Sequence, residues 1–163
     1  MGIPTDLVKK LRDQTGISIM QCRKALEEAG GDIEKAKVIL QSKSADIASK
    51  KGDRTLGAGV VSTYVHATGK VGSMLELLCE TDFVAKNEEF VKLARDIAMH
   101  ITATDPKYVK TADVPAGVEP GEEVLLNQSF IKNPEVTITN LIDTAIQKFG
   151  EKIDISRFVR FSI

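Results

Sequence analysis

Cys79-Glu80-Thr81-Asp82-Phe83-Val84-Ala85-Lys86-Asn87-Glu88-Glu89-Phe90 joins two patterns of different period. Upstream, Val71 to Leu78 is an apolar run of strand length. Downstream, Phe90, Val91, Ala94, Ile97, Ala98 and Ile101 recur at steps of three and four, the signature of a helix with one buried face. Extending that stripe backwards lands on Asn87 and Lys86, not on Phe83. Asn87 is a good N-cap, and Glu88 and Glu89 fall in the first turn, where the helix dipole favours negative charge. The helix therefore begins after Thr81-Asp82-Phe83-Val84, and these four residues occupy a strand-to-helix corner, where folds present side chains. Phe83 has two destinations there. It folds back onto the sheet as a staple, or it stands out beside the Asp82 carboxylate.

Working outward, Ala58 to Ala67 alternates as a strand, and Thr68-Gly69-Lys70 turns it into Val71 to Leu78 as a hairpin. Asp105 to Gly121, with three prolines and two glycines, reads as a surface loop, and Val124 to Ile131 as a strand or turn before Pro134. Thr137 caps a helix whose Ile138, Leu141, Ile142, Ala145, Ile146 and Phe149 form a clean apolar stripe closed by Gly150. Ile153 to Ile163 is a last strand, rich in Phe and Ile, that also carries Arg157 and Arg160.

The first fifty residues have another character. A helix starts near Pro4 or Thr5, carries Leu7, Val8 and Leu11 on one face and stops at Gly16. Ser18 with Gln21 three residues on is a capping box for a second helix through Cys22, Ala25, Leu26 and Ala29 to Gly30-Gly31. Asp32 caps a third, with Ile33, Ala36, Val38, Ile39 and Leu40 as its face. Ile17, Ile19 and Met20 cannot all point inward if Cys22 and Leu26 do, so at least one faces solvent or a partner. The polar stretch 41–57 reads as a linker with some helical character. The fold expected is α+β, a three-helix module followed by an antiparallel sheet with helices packed on one face, divided into residues 1–54 and 55–163.

Composition narrows the function. Among 163 residues, 28% are charged and 42% hydrophobic, the balance of a soluble protein. No apolar run approaches the length of a membrane span, and the first residues lack the basic and apolar regions of a signal peptide, so the cytoplasm is the expected compartment. Residues 1–54 hold 11 Lys and Arg against 8 Asp and Glu (+3), and residues 55–163 hold 11 against 15 (−4). That dipole is mild, and with few aromatics it argues against a nucleic-acid groove. Cys22 and Cys79 sit far apart in apolar patterns and read as buried thiols, not as a disulfide or a zinc site.

Enzymatic readings fail on geometry. A turn centred on Gly69 puts His66 opposite Gly72 and Cys79 about 23 Å further along, beyond the reach of a nucleophile and its base. Glu80, Asp82, Glu88 and Glu89 are dipole complements at a helix start without a nearby histidine. Gly57-Ala58-Gly59 precedes a strand where a phosphate loop would follow one. No cofactor and no metal is expected.

Five segments then carry a resemblance: Leu7–Gly16 (L-V-K-K-L-R-D-Q-T-G) with Met20–Ala36 (M-Q-C-R-K-A-L-E-E-A-G-G-D-I-E-K-A), Thr81–Phe90 (T-D-F-V-A-K-N-E-E-F), Leu125–Pro134 (L-L-N-Q-S-F-I-K-N-P) and Arg157–Phe161 (R-F-V-R-F). In order and spacing the chain resembles the elongation factor Ts family, guanine nucleotide exchange factors for elongation factor Tu in translation. The resemblance implies that residues 1–54 are a ubiquitin-associated-like module that docks on the nucleotide domain of elongation factor Tu, through Ile19 and Met20 with Val8, Leu11 and Arg12 nearby. It implies that Asp82 and Phe83, flanked by Thr81 and Val84, wedge into that domain and disturb its magnesium and phosphate sites, without bond-making chemistry. The chain passes from Asp113-Val114-Pro115 through a brief acidic loop to Leu125, as in the family's short form, which implies a homodimer. The alternatives are a helix-binding adaptor of the ubiquitin-associated type without exchange activity, and a small hydrolase.

Overall fold

The computed structural model describes residues 2–163, and Met1 lies outside the described residues. The chain divides into two compact units, Met1–Asp53 with Asp143–Glu151, and Arg54–Ile142 with Lys152–Ile163. The excursion of 143–151 into the first unit has no counterpart in the division at 54/55.

In the first unit, α1 (Thr5–Thr15) and α2 (Ile19–Glu28) start and stop at the local signals, and α3 (Ile33–Lys50) starts at one. Gly16 ends α1 in the left-handed region at φ +70°, a conformation glycine adopts without a Cβ penalty. The Ser18 side chain accepts the Gln21 N–H, and that of Asp32 accepts the Lys35 N–H. Val8, Leu11, Ile17, Cys22, Ala25, Leu26, Ala36 and Leu40 make the core.

Two expectations are corrected here. Residues 41–50 belong to α3 and not to a linker, and Ser44 is fully buried there with its hydroxyl donated to Gln147. A polar side chain can line a buried face when its partner arrives from far along the chain. Val38, expected on the inner face, is exposed, because it lies about 200° round the helix from Ala36.

The second unit is built on β1 (Ala58–Val65), β2 (Val71–Cys79) and β5 (Asp154–Ser162), antiparallel in the order β1-β2-β5. Between β1 and β2 the register runs from Ala58 opposite Cys79 to Val65 opposite Gly72. His66 therefore faces Val71, to whose carbonyl its N–H is bonded, and not Gly72. Gly59 is needed for close approach: a Cβ there would lie 2.4 Å from the Leu77 carbonyl oxygen. The two ends of β2 are thus the two ends of the hairpin, and Cys79 and His66 never meet.

After β2 come α4 (Asp82–Ala85) and α5 (Glu88–Thr104), then β3 (Ser129–Phe130), β4 (Asn133–Thr137) and α6 (Ile138–Phe149). Ser73, Leu75, Leu77 and Cys79 alternate inward from β2. The Ser73 hydroxyl donates to the Ala98 carbonyl at 2.6 Å, and Arg160 Nε donates to the Thr102 carbonyl at 3.1 Å, so α5 lies against that face. Thr137 and Asn140 cap α6 reciprocally, each side chain accepting the other's backbone N–H. β4 was not foreseen because Pro134 demotes a strand; it survives in a two-stranded ladder with β3, where Pro134 has no pairing partner to satisfy.

Buried His100 organises this side of the unit. Its ring nitrogens meet Gln128 Oε1 at 2.8 Å and the Ile131 N–H at 3.2 Å. A neutral ring that accepts at Nδ1 donates at Nε2, and burial, opposed by the Gln128 bond, pushes its pKa down.

Candidate functional site

The corner after β2 is a single helical turn held from three sides. Thr81 is extended, and its Oγ1 accepts the Val84 N–H at 3.5 Å, capping α4. The Ala85 N–H returns to the Thr81 carbonyl, and the Asn87 N–H to that of Val84. Below the turn, the buried Cys79 thiol donates to the Thr81 carbonyl at 3.3 Å. A lone turn does not persist in water. This one is anchored by Val84, 3% exposed, and by buried Ala85, which point into the core.

With Val84 and Ala85 inward, Asp82 and Phe83 point outward. Phe83 is 86% exposed, so the staple alternative is excluded. A phenyl ring held in water on a capped, anchored turn gives up its own burial for availability. Thr81 and Asp82 are exposed beside it. Val84 does not belong with them: it is the anchor beneath the surface and not part of it. The sequence reading missed this because one turn is too short to show a period. The new helix after it begins as expected, the Asn87 side chain accepting the Glu89 N–H at 2.9 Å.

In the first unit, the Ser18 cap sets the first turn of α2 so that Cys22, Ala25 and Leu26 face inward. Ile17 is buried, while Ile19 is 54% and Met20 80% exposed. Arg12 is exposed, its Nη1 3.9 Å from an Asp13 carboxylate oxygen. Val8 and Leu11 are core residues, 2% and 0% exposed; the same α1 stripe that marks them as apolar puts them inside.

The sequence reading also passed over one face of the sheet. Val61 and Val65 on β1, Met74 on β2, and Val159 and Phe161 on β5 project away from α5 and are exposed, Phe161 to 72%. The register aligns Met74 with Val159 and Gly72 with Phe161. At one end, Glu76 pairs with Arg157 at 2.7 Å and accepts the Ser156 hydroxyl, which holds its carboxyl below the usual range. The signal was present in β5, where Phe158 has one parity and Val159 and Phe161 the other. A strand apolar on both parities is covered on both faces.

Among the described residues no group of three or more His, Cys, Asp or Glu could hold a metal ion, and no helix is long and apolar enough to cross a membrane. Cys22 and Cys79 are free and buried, and burial pushes the Cys22 thiol up, away from the thiolate a nucleophile needs. The geometry defines a protein whose distinctive groups are presented surfaces: an apolar and acidic pair on a stiff corner, an apolar pair at a helix start and an open sheet face.

Comparison with known proteins names the class. A family profile described as elongation factor TS matches residues 46–123. Elongation factor Ts of Carboxydothermus hydrogenoformans is 42% identical over 193 residues, covering 99% of this chain and 89% of the relative. That of Thermodesulfovibrio yellowstonii is 42% identical over 194 residues, covering 100% and 97%. Elongation factor Ts of Thermotoga petrophila is 44% identical over 153 residues, covering 94% of this chain and 77% of the relative. The chain belongs to the elongation factor Ts family. Proteins of this family are nucleotide exchange factors without bond-making chemistry, and the chain is not an enzyme.

Proposed function

We propose that this chain promotes release of GDP from elongation factor Tu by inserting Phe83, with Asp82 beside it, into the partner's nucleotide domain, where the pair disturbs the magnesium and phosphate sites. The observation that carries the proposal is the exposed ring on an anchored turn. Thr81 supports it as the cap and Val84 as the buried anchor. Residues 1–54 act as a ubiquitin-associated-like docking module through Ile19 and Met20, with Arg12 at the rim, and residues 55–163 carry the corner. The place of action is the cytoplasm.

The energetics require both contacts. Accelerating release a thousandfold lowers a barrier by about 4 kcal/mol. Burying one Phe supplies about 1.5–3 kcal/mol. Coupling between nucleotide and exchange factor is reciprocal, so the affinity lost by one in the ternary complex is lost by the other. The docking module makes up the difference and keeps the corner at high effective concentration. The test is release of fluorescent GDP from purified elongation factor Tu on adding the chain. A rate equal to the spontaneous one rejects exchange in favour of a helix-binding adaptor.

The open sheet face supports a second element, a homodimer. Its centre is apolar, so a second copy presents the same flat apolar surface in return. Two such sheets stack about 10 Å apart with their inner side chains interdigitated. A monomer in sedimentation at micromolar concentration rejects it.

A further inference from the structure

We infer that Glu80 is a positioning residue for exchange, clamping the root of the Asp82-Phe83 corner to the two points where the chain re-enters the second unit. The inference rests on the exchange reading of that corner. Glu80 immediately precedes Thr81. Its Oε1 accepts the backbone N–H of Lys152 at 2.9 Å, and its Oε2 lies 3.5 Å from Nη1 of Arg54. Arg54 is the first residue of the unit after the chain leaves Asp53, and Lys152 the first after the excursion 143–151. One carboxylate holds both.

The register explains why a side chain does this work. The β2–β5 ladder ends with Leu78 opposite Asp154, and continuing it two residues puts Glu80 opposite Lys152. Backbone pairing stops there because β2 turns away into the corner. The Glu80 side chain takes over the missing ladder bond and extends the hold of the sheet to the base of α4. Its side chain is only 17% exposed, whereas that of Arg54 is 56% exposed. An exposed ion pair alone contributes little. A sheltered carboxylate accepting a backbone N–H contributes more, being a charge-assisted hydrogen bond.

A wedge transmits strain only if its base resists. With the clamp intact, force on Phe83 from a partner is borne by the sheet and by both connections. Without it, the turn yields, the ring still docks, and less of the interaction reaches the nucleotide site. Glu80 therefore governs the maximal rate of release, while the concentration at half-saturation stays with the exposed contacts.

The experiment measures fluorescent GDP release from elongation factor Tu over a concentration series of wild type, Glu80→Ala, Glu80→Gln and Arg54→Ala, with amide hydrogen exchange of residues 81–86 read in parallel. Glu80→Ala lowers the maximal rate about tenfold, the loss expected for one charge-assisted hydrogen bond. Half-saturation stays within about twofold, and the 81–86 amides exchange faster while those of β2 and α5 do not. Glu80→Gln, which keeps an acceptor for the Lys152 N–H, recovers most of the rate, and Arg54→Ala loses about threefold or less. The inference is overturned if Glu80→Ala matches wild type, if its loss appears in half-saturation, or if the 81–86 amides keep their protection. Should Glu80→Ala not fold, Glu80→Asp, one methylene too short to hold the Lys152 N–H, takes its place, and a wild-type maximal rate with unchanged protection of residues 81–86 overturns the inference. Should wild type itself not speed release, the exchange reading fails on its own, and the amide data alone decide the clamp.

Discussion

Replacing Phe83 with Ala separates the corner's role in a partner from its role in the fold. The ring is 86% exposed and touches little of its own protein, so its removal leaves no cavity. Surface substitutions of this kind change stability by within about 0.5 kcal/mol. In a partner's pocket the same ring would be buried, and losing it removes about 1.5–3 kcal/mol of apolar transfer. If that energy is delivered at the barrier, exchange slows by about 10- to 150-fold. Fluorescent GDP release from elongation factor Tu gives the rate, and thermal melting by circular dichroism gives the stability. A rate within twofold of wild type refutes the wedge. So would a clear fall in melting temperature accompanying the rate loss, since the ring would then be structural.

Ile19→Ala with Met20→Ala leaves the melting curve unchanged and raises the half-saturating concentration in the same assay about 5- to 30-fold, with the maximal rate retained. A changed maximal rate instead would assign the pair to the chemistry of release. His100 makes stability fall in acid: its folded pKa is lowered by burial, so the unfolded chain binds the proton more readily. The contribution is complete above the unfolded value of about 6.5 and is lost as pH falls through that value toward the depressed one. Urea unfolding at pH 7.5 and 5.5 should show a smaller difference for His100→Gln than for wild type, and equal differences would refute it. Phe161→Asp places a charge in the open sheet face and yields a monomer in sedimentation with an unchanged melting curve at low concentration; a persistent dimer places the interface elsewhere.

What was legible in the sequence was local. Ser18, Asp32, Asn87 and Thr137 mark helix starts because a cap needs only neighbouring residues, and each side chain accepts a backbone N–H from the first turn of its helix. The hairpin was legible from Gly69 and the alternation either side of it, although its register was misjudged by one residue at His66. The orientation of the corner was not legible. Whether Phe83 or Val84 goes inside depends on how a single turn is rolled against β2 and α5, and that is set by the Cys79 and Thr81 contacts. Ser44 was misread for a similar reason: its partner Gln147 lies 103 residues away. Val8 and Leu11 were placed near the docking surface by resemblance, while their own periodicity put them on the inner face of α1, where both are buried.

The anchored turn of α4 has a bearing on timing. Its backbone adopts the shape it would offer while the protein is alone in water, held by the Thr81 cap and the inward Val84. A flexible loop would have to surrender its backbone freedom at every encounter. In the exchange proposed here, that surrender happens once, at folding, and every later meeting with the partner begins with the contact already in form.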